Sequence, residues 1–343
     1  MLLINWLKLE VRRRIIKSLL TPSHRKKIRG KRERKRKTEN RSHQVFYLHQ
    51  VDDPYSHLCC QILDQLENSY DIEVIPLVVG PPPPSSTPEV EMLQKHNIED
   101  AKMIAPYYGL TFETNEMDIE SKKIKIAQSI LLGTNQESFA KVSLQVGDAL
   151  WRNDSETLQD LQQNSTVLSD EEISARIQIN SQKQKKLGHY YGGVFAYEGE
   201  CYGCIDRVPF LEERLVELGT NKSDQQSIFK RKSLKDELPL KLDGLTLEVL
   251  FSVRSPYSYL ALQQLIEFRK RYPLKVVYRP ILPMVMRGMV INREKMFYIL
   301  SDCKRIAEKK GMPFGNIADP LGIAVERCFS LLKFIKQKGK EED

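Results

Sequence analysis

Apolar runs long enough to cross a bilayer are missing from this sequence. The segment Met1–Leu20 could form a helix, but three consecutive arginines, Arg12 to Arg14, interrupt it. Its longest apolar run is far shorter than the roughly 20 residues that a membrane-spanning helix needs. A small-residue cleavage site is also missing, so the segment is a poor candidate for a signal peptide. The sequence therefore predicts a cytoplasmic protein without a membrane span.

Cysteines are few, six in 343 residues, and without a secretory signal they are expected to be reduced. Cys201 and Cys204 form a Cys-x-x-Cys pair inside a predicted hairpin. A metal site would need further ligands, for which Cys59 and Cys60 are the only obvious candidates. We interpret Cys201 and Cys204 as small strand residues and predict no metal site. A thiol oxidoreductase that uses this pair is the alternative.

Acidic residues are scarce at the N-terminus. Residues 1–42 contain sixteen Lys and Arg but three Glu, a net charge of +13, which leaves 8 − 13 = −5 for the remainder. The basic character thus belongs to a tail, and nucleic-acid binding by the folded part is not expected. One interpretation of residues 1–43 is a peripheral helix on an anionic membrane surface. The preferred one is a disordered basic extension.

An internal repeat is the main feature of the remaining chain. Shifted by 202 residues, Asp53-Pro-Tyr-Ser56 aligns with Ser255-Pro-Tyr-Ser258. The same shift aligns later residues without a gap, among them Leu58 with Leu260 and Gly109 with Gly311. A period of this length is far too long for a solenoid repeat. The pattern predicts two copies of one domain.

The first copy reads as strand, helix, strand, helical block, hairpin and closing helix. Gln44–His49 and Asp71–Gly80 are predicted strands around a helix at Pro54–Tyr70, which makes a parallel βαβ unit. Helical segments are predicted at 97–110, 120–132, 137–152 and 169–187. A hairpin at Gly192–Tyr197 and Cys201–Ile205 and a helix at Arg207–Leu218 follow. This order is typical of a thioredoxin fold with a helical insertion.

The second copy begins with the apolar run Leu245–Val253, which leads into a predicted helix. Ser255 is a good N-cap and Pro256 suits the first helical position. The positive end of the helix then lies at the end of the strand, where an anion such as a thiolate can be held. A plain helix cap is the structural alternative for Ser255.

Four stretches resemble a known family, and they are Phe251–Leu260, Tyr278–Met284, Asp319–Gly322 and Gly199–Leu215. The chain resembles the DsbA-like thioredoxin superfamily, in the branch of 2-hydroxychromene-2-carboxylate isomerase and kappa-class glutathione transferase. The resemblance implies an α/β fold of tandem thioredoxin-like, DsbA-type domains with helical insertions. We place them at 44–220 and 244–343, joined by a polar linker at 221–243. The counterparts of 193 and 206–207 would be 395 and 408–409, so the second copy is expected to be C-terminally incomplete.

The resemblance also assigns roles to residues. Redox members carry two cysteines where this chain has Ser255 and Ser258, or Asp53 and Ser56, so disulfide exchange is not expected at either junction. Ser255, with Ser258, is the implied catalytic position, where a hydroxyl donates to the thiolate of glutathione. A carboxylate at Asp53 would repel that thiolate.

Three more residues of the first copy match glutathione-contacting positions of the family. Gly193 falls at the place of a cis-proline, and Asp206-Arg207 matches an Asp-Arg pair that touches glutathione in kappa-class enzymes. A helix cap and a surface charge are the alternative for the pair.

The expected function is that of a glutathione-dependent isomerase or transferase acting on a small hydrophobic substrate through Ser255. The alternative is a non-catalytic thioredoxin-fold binding module, associated with an anionic membrane surface through residues 1–42. Self-association into a homo-oligomer is a further alternative.

Overall fold

The computed structural model describes residues 2–87, 89–115, 118–223, 228–229, 231–232, 244–272, 274–317 and 320–339. The chain divides into two compact units. The central unit consists of Lys31–Leu234, and the terminal unit combines Met1–Gly30 with Lys235–Asp343. Asp319 and most of the predicted linker at 221–243 lie outside the described residues.

Two helices, α1 (Leu2–Leu19) and α2 (Pro22–Thr38), occupy the basic N-terminal region, so its interpretation as a disordered extension is wrong. Lys, Arg and Glu are good helix formers, and local ion pairs such as Arg14 with Glu10 add stability. Arg25 pairs with Glu308 inside the terminal unit. Of the side chains described between residues 10 and 42, none is buried. Among the described residues, no helix is long and apolar enough to cross a membrane.

A four-stranded sheet forms the middle of the central unit. Its strands are β1 (Gln44–His49), β2 (Glu73–Val78), β3 (Val194–Tyr197) and β4 (Glu200–Gly203), in the order β2-β1-β3-β4. The β1 strand runs parallel to β2 and antiparallel to β3. All four residues of β3 are buried, as expected for an apolar strand covered on both faces.

Eight α-helices are described in the rest of the central unit. They are α3 (Pro54–Cys60), α4 (Leu63–Ser69), α5 (Val90–Ile104), α6 (Ser121–Gly133), α7 (Gln136–Trp151), α8 (Ser155–Gln163), α9 (Asp170–Leu187) and α10 (Val208–Glu217). The prediction of one helix over Pro54–Tyr70 is wrong, because the helix is interrupted at Gln61. The side-chain amide of Gln61 donates to the backbone carbonyl of Thr111 and accepts the backbone N–H of the same residue. The α8 helix was not predicted.

One large apolar core holds the central unit together. Its largest fully buried side chains include Trp151, Tyr47, Phe195 and Leu58. Part of the predicted linker also packs here, since Phe229 is buried and the buried carboxylate of Glu212 accepts its backbone N–H. The linker prediction is therefore wrong at this residue.

The terminal unit has a smaller sheet and a thinner core. It contains β5 (Thr246–Phe251), α11 (Pro256–Arg271), β6 (Lys275–Pro280), α12 (Arg293–Lys309) and α13 (Ile323–Gln337). Within the described part of the chain, β5 and β6 pair in parallel and with no third strand. A buried cluster joins α11 to α12 through Leu260, Cys303 and Ala307. Leu250 of β5 is 67% exposed.

Several features recur between the two units at a spacing of 202 residues. The bounds of β1 and β5 differ by 202, as do those of β2 and β6, and the registers match. Val79 donates its N–H to the carbonyl of His49 at 2.8 Å, and Ile281 donates to Phe251 at 2.8 Å. Hydrogen bonds therefore repeat at the same spacing as the sequence.

Candidate functional site

The Ser255 junction lies between β5 and α11. Ser255 has an extended backbone (φ −81°, ψ 119°), and its Oγ accepts the N–H of Ser258 at 3.2 Å. Ser258 Oγ in turn accepts the N–H of Ser252 at 3.1 Å, which ties the helix to the end of the strand. The capping bond uses a lone pair of the Ser255 hydroxyl, so its proton can be donated to a ligand. Capping and ligand binding are therefore compatible roles for Ser255.

A cavity of about 1320 Å³ opens at this junction. Its walls come from residues 252–259, from Ile281–Val285 after β6, from the region of α12, and from α1. Apolar groups dominate around Leu282 and Met284, as is usual for sites that bind small organic molecules. The cationic side chains that line it are Arg13, Lys17, Arg254, Arg287 and Lys304, while Glu10 is an acidic one. The arrangement suits a ligand with an apolar body and a negative charge.

A hydrogen bond between a tyrosine and a buried aspartate holds the start of α11 against α12. Tyr257, in the first turn of α11, donates its hydroxyl to Asp302 of α12 at 2.7 Å. Asp302 is fully buried and also accepts from Arg305 at 3.2 Å. These bonds fix the start of α11 against α12 and thereby position Ser255.

The Asp53 junction of the central unit has the same arrangement of strand, helix cap and supporting tyrosine, but its capping residue is a carboxylate. Asp53 caps α3, and its Oδ2 accepts the N–H of Ser56 at 2.8 Å and the hydroxyl of Ser56 at 2.7 Å. Tyr55 donates to Asp100 at 2.6 Å, as Tyr257 does to Asp302. Burial raises the pKa of Asp53 to about 6, against the bonds from Ser56, which lower it.

Two glycines of the central unit close the Asp53 junction. A Cβ on Gly192 would lie 2.6 Å from Cβ of Gln50 and 2.7 Å from Oγ of Ser56. A Cβ on Gly193 would lie 3.0 Å from the backbone of Tyr55 and Ser56. The chain leading into β3 therefore packs directly on the junction, which leaves no room for a side chain between them.

The other predicted binding residues also lie in the central unit. Asp206 and Arg207 form an ion pair in a short turn before α10. Burial, followed by the charge of Asp206, raises the pKa of Cys204 well above its usual value. Cys204 donates its backbone N–H to Gly193 at 2.7 Å. The structure thus groups Gly193 and Asp206 around the Asp53 junction, whereas Ser255 and Ser258 belong to the terminal unit.

The Cys201–Cys204 pair has an unfavourable environment for thiol chemistry. Cys201 is buried and donates its thiol to the carbonyl of Leu187 at 3.3 Å. Reactive cysteines need a lowered pKa, whereas burial raises that of Cys204. Within the described residues, no group of three or more His, Cys, Asp or Glu could hold a metal ion.

A Cys-His-Asp arrangement in the central unit was not predicted, because Asp148 lies far away in sequence. His57 Nδ1 is 4.0 Å from Sγ of Cys60, and its Nε2 is 3.4 Å from Asp148. The Cys60 thiol, however, donates to the carbonyl of His57 at 3.1 Å, and burial raises its pKa to about 12. A thiol in this state is a packing group and not a nucleophile.

The terminal unit contains a segment that matches a known protein-family model. Residues 246–343 match the family model of the DSBA-like thioredoxin domain. This part of the chain is therefore similar to the DsbA-like thioredoxin domain, in agreement with the superfamily predicted for the second half of the repeat. No curated protein matches the chain.

A solved structure of 2-hydroxychromene-2-carboxylate isomerase, a selenomethionine form, is also similar to the chain. The match has a TM-score of 0.38 and 14% sequence identity, and it covers 51% of this chain and 96% of the isomerase chain.

Proposed function

We propose that this protein is a glutathione-dependent isomerase or transferase of the DsbA family that acts on a small hydrophobic substrate. The observation that carries the proposal is the position of the Ser255 hydroxyl, which lines a large cavity at the N-terminus of the 16-residue helix α11. At the Asp53 junction, Gly192 and Gly193 pack directly on the start of the helix, so the reaction is assigned to the terminal unit.

The side chains around Ser255 fit glutathione and an apolar co-substrate. Glutathione carries two carboxylates, which Arg254, Arg287 and Lys304 can attract. The proton of Ser255 and the positive end of α11 stabilise an anion, and glutathione supplies a thiolate when it is bound. Leu282 and Met284 provide apolar surface for the second substrate. Ser258 holds the strand end in place through its bond from Ser252.

We further propose that residues 44–220 and 244–343 are two copies of one thioredoxin-like domain. The recurrence of strands, registers and the tyrosine–aspartate bond at 202 residues supports this proposal. In the central copy the first position of the motif is Asp53, whose carboxylate repels a thiolate. The central copy is then the non-catalytic partner.

Matched substitutions at the two junctions test the proposed activity. Glutathione binding is measured by titration calorimetry, and conjugation of an electrophilic aromatic halide is followed by absorbance. Ser255→Ala should lower the conjugation rate by about 10²-fold or more, as removal of a donor to a reacting anion does elsewhere. Asp53→Ala should leave both measurements unchanged. Full activity in Ser255→Ala would contradict the assignment.

A non-catalytic binding module is the second candidate function. It is favoured by the location of Gly193, Asp206 and Arg207, since these glutathione-contacting positions of the family belong to the central unit. Glutathione binding without conjugation or isomerisation of any hydrophobic electrophile would support this candidate over the enzyme.

A further inference from the structure

The α1 helix has two different faces in the terminal unit. Ile16 and Leu20 line the Ser255 cavity, together with Arg13 and Lys17. On the outer side, Val11, Ile15 and Leu19 follow one another at intervals of four residues and are 54%, 54% and 39% exposed. Residues at this spacing lie above one another on a helix and form a continuous stripe. We call these three residues the outer stripe.

An exposed cation flanks the outer stripe. Arg14, next to Ile15, has a side chain that is 78% exposed. The surrounding sequence adds to this positive charge, because residues 1–42 carry a net charge of +13. An apolar stripe flanked by basic side chains matches a surface that is apolar beneath and anionic at its boundary. A nucleic-acid backbone would match the charge but would leave the stripe in water.

We propose that α1 docks the terminal unit on an anionic lipid surface, with the outer stripe in the headgroup region and Arg14 among the lipid phosphates. The helix lies in the plane of the membrane. The inner face of α1 is a wall of the Ser255 cavity, so docking brings that cavity to the lipid boundary. The inference does not depend on the chemistry assigned to Ser255.

Vesicle sedimentation of the full chain tests the docking. Vesicles rich in phosphatidylserine should pellet the protein, pure phosphatidylcholine vesicles should not, and added salt should weaken the binding. The double variant Val11→Gln/Ile15→Gln keeps the charge and a good helix former at both positions. We expect it to bind the anionic vesicles at least about tenfold more weakly. The matched control, Val167→Gln/Ile179→Gln, changes two apolar residues that are 67% and 64% exposed in the central unit and should bind normally.

A second variant protects the test against loss of the helix. Arg14→Gln leaves the outer stripe intact and should weaken binding and reduce its salt dependence. The proposal is overturned if the stripe variant binds as tightly as the unchanged protein, or if neutral and anionic vesicles bind equally. It is also overturned if sedimentation equilibrium shows a dimer that the stripe variant dissociates while vesicle binding persists, because the occupant is then a second copy of the chain.

Discussion

The junction at Asp53 and the junction at Ser255 share their backbone design but not their surroundings. In both, a strand ends, a polar residue caps a helix, and a tyrosine two residues later donates to an aspartate 45 residues further on. Around Asp53, Gly192 and Gly193 fill the space in front of the helix. Around Ser255 the same space belongs to a cavity of about 1320 Å³. The comparison shows that the local motif builds a junction, whereas distant segments decide whether it can bind a ligand.

The two units also differ in how much core supports their junctions. The central unit packs its helices on both sides of a four-stranded sheet, with Trp151 and Tyr47 fully buried. The terminal unit has two paired strands among its described residues and leaves Leu250 largely exposed. We expect the terminal unit to be the less stable of the two, since less apolar surface is removed from water.

The largest expected effect comes from truncating the matched core leucines. Leu58 and Leu260 occupy corresponding positions and are 0% and 3% exposed. Leu58→Ala should lower the unfolding free energy of the central unit by about 3–5 kcal/mol, because its dense core cannot collapse around the cavity. Leu260→Ala should cost the terminal unit only about 2 kcal/mol, since its smaller cluster can relax. Hydrogen exchange of peptides from β1 and β5 under denaturant measures each loss, and equal losses would remove the distinction between the cores.

Gly192→Ala tests whether the Asp53 junction is really closed. The added methyl group would meet Gln50 and Ser56, so we expect a loss of about 1–3 kcal/mol in the stability of the central unit. Gly30→Ala is the control, because no other group lies within 4 Å of the position that a Cβ would take there and alanine favours helix α2. Thermal unfolding decides between them. A neutral Gly192→Ala would show that the junction has room for a ligand.

Removing the two tyrosine hydroxyls compares the tyrosine–aspartate hydrogen bonds of the two junctions. Asp302 is fully buried while Asp100 is half-buried. Tyr257→Phe should cost about 1–2 kcal/mol, because a buried acceptor loses a donor that water cannot replace. Tyr55→Phe should cost about 0.5–1 kcal/mol, since water can reach Asp100. Chemical denaturation of both variants measures the difference, and a larger loss in Tyr55→Phe would reverse the comparison.

The last comparison is a pH dependence that Asp53 contributes to the stability of the central unit. Its pKa rises from a usual value of 3.8 to about 6 in the folded chain, chiefly through burial. Between these values the folded chain holds a proton that the unfolded chain has released, so the unfolding free energy falls as the pH rises. Asp53→Asn keeps a good helix cap and should remove this component between about pH 4 and pH 6. Denaturation midpoints over that range test it, and an unchanged slope in the variant would assign the titration to another group.

The repeat and the junctions could be predicted because they depend on local sequence. The bounds of β1 agree with the predicted Gln44–His49, and α11 begins at the predicted Pro256, since an apolar strand, a capping residue and a proline at the first turn mark these positions clearly. The N-terminal helices were underestimated because charge alone suggested disorder. Two local features favour helices here, namely Pro22 at the first position of α2 and the spacing of four residues between Glu10 and Arg14.

The site beyond the motif could not be predicted from the sequence. Its cavity is built from α1, the segment after β6 and α12, which are far apart along the chain. The closure of the Asp53 junction depends on Gly192, whose contact with Gln50 follows from the pairing of β1 with β3. Contacts between distant segments depend on packing, and no local pattern records them.

Ligand mapping by nuclear magnetic resonance, with ¹⁵N-serine as the label, tests the central claim most directly. Ser56 and Ser258 hold the same place in the two junctions, and each donates its N–H to the capping residue. When glutathione is added to the full chain, the amide signals of Ser255 and Ser258 should shift and saturate together, while that of Ser56 should stay in place. A shift of Ser56 with Ser255 and Ser258 unmoved would place the functional site at Asp53 and contradict the account.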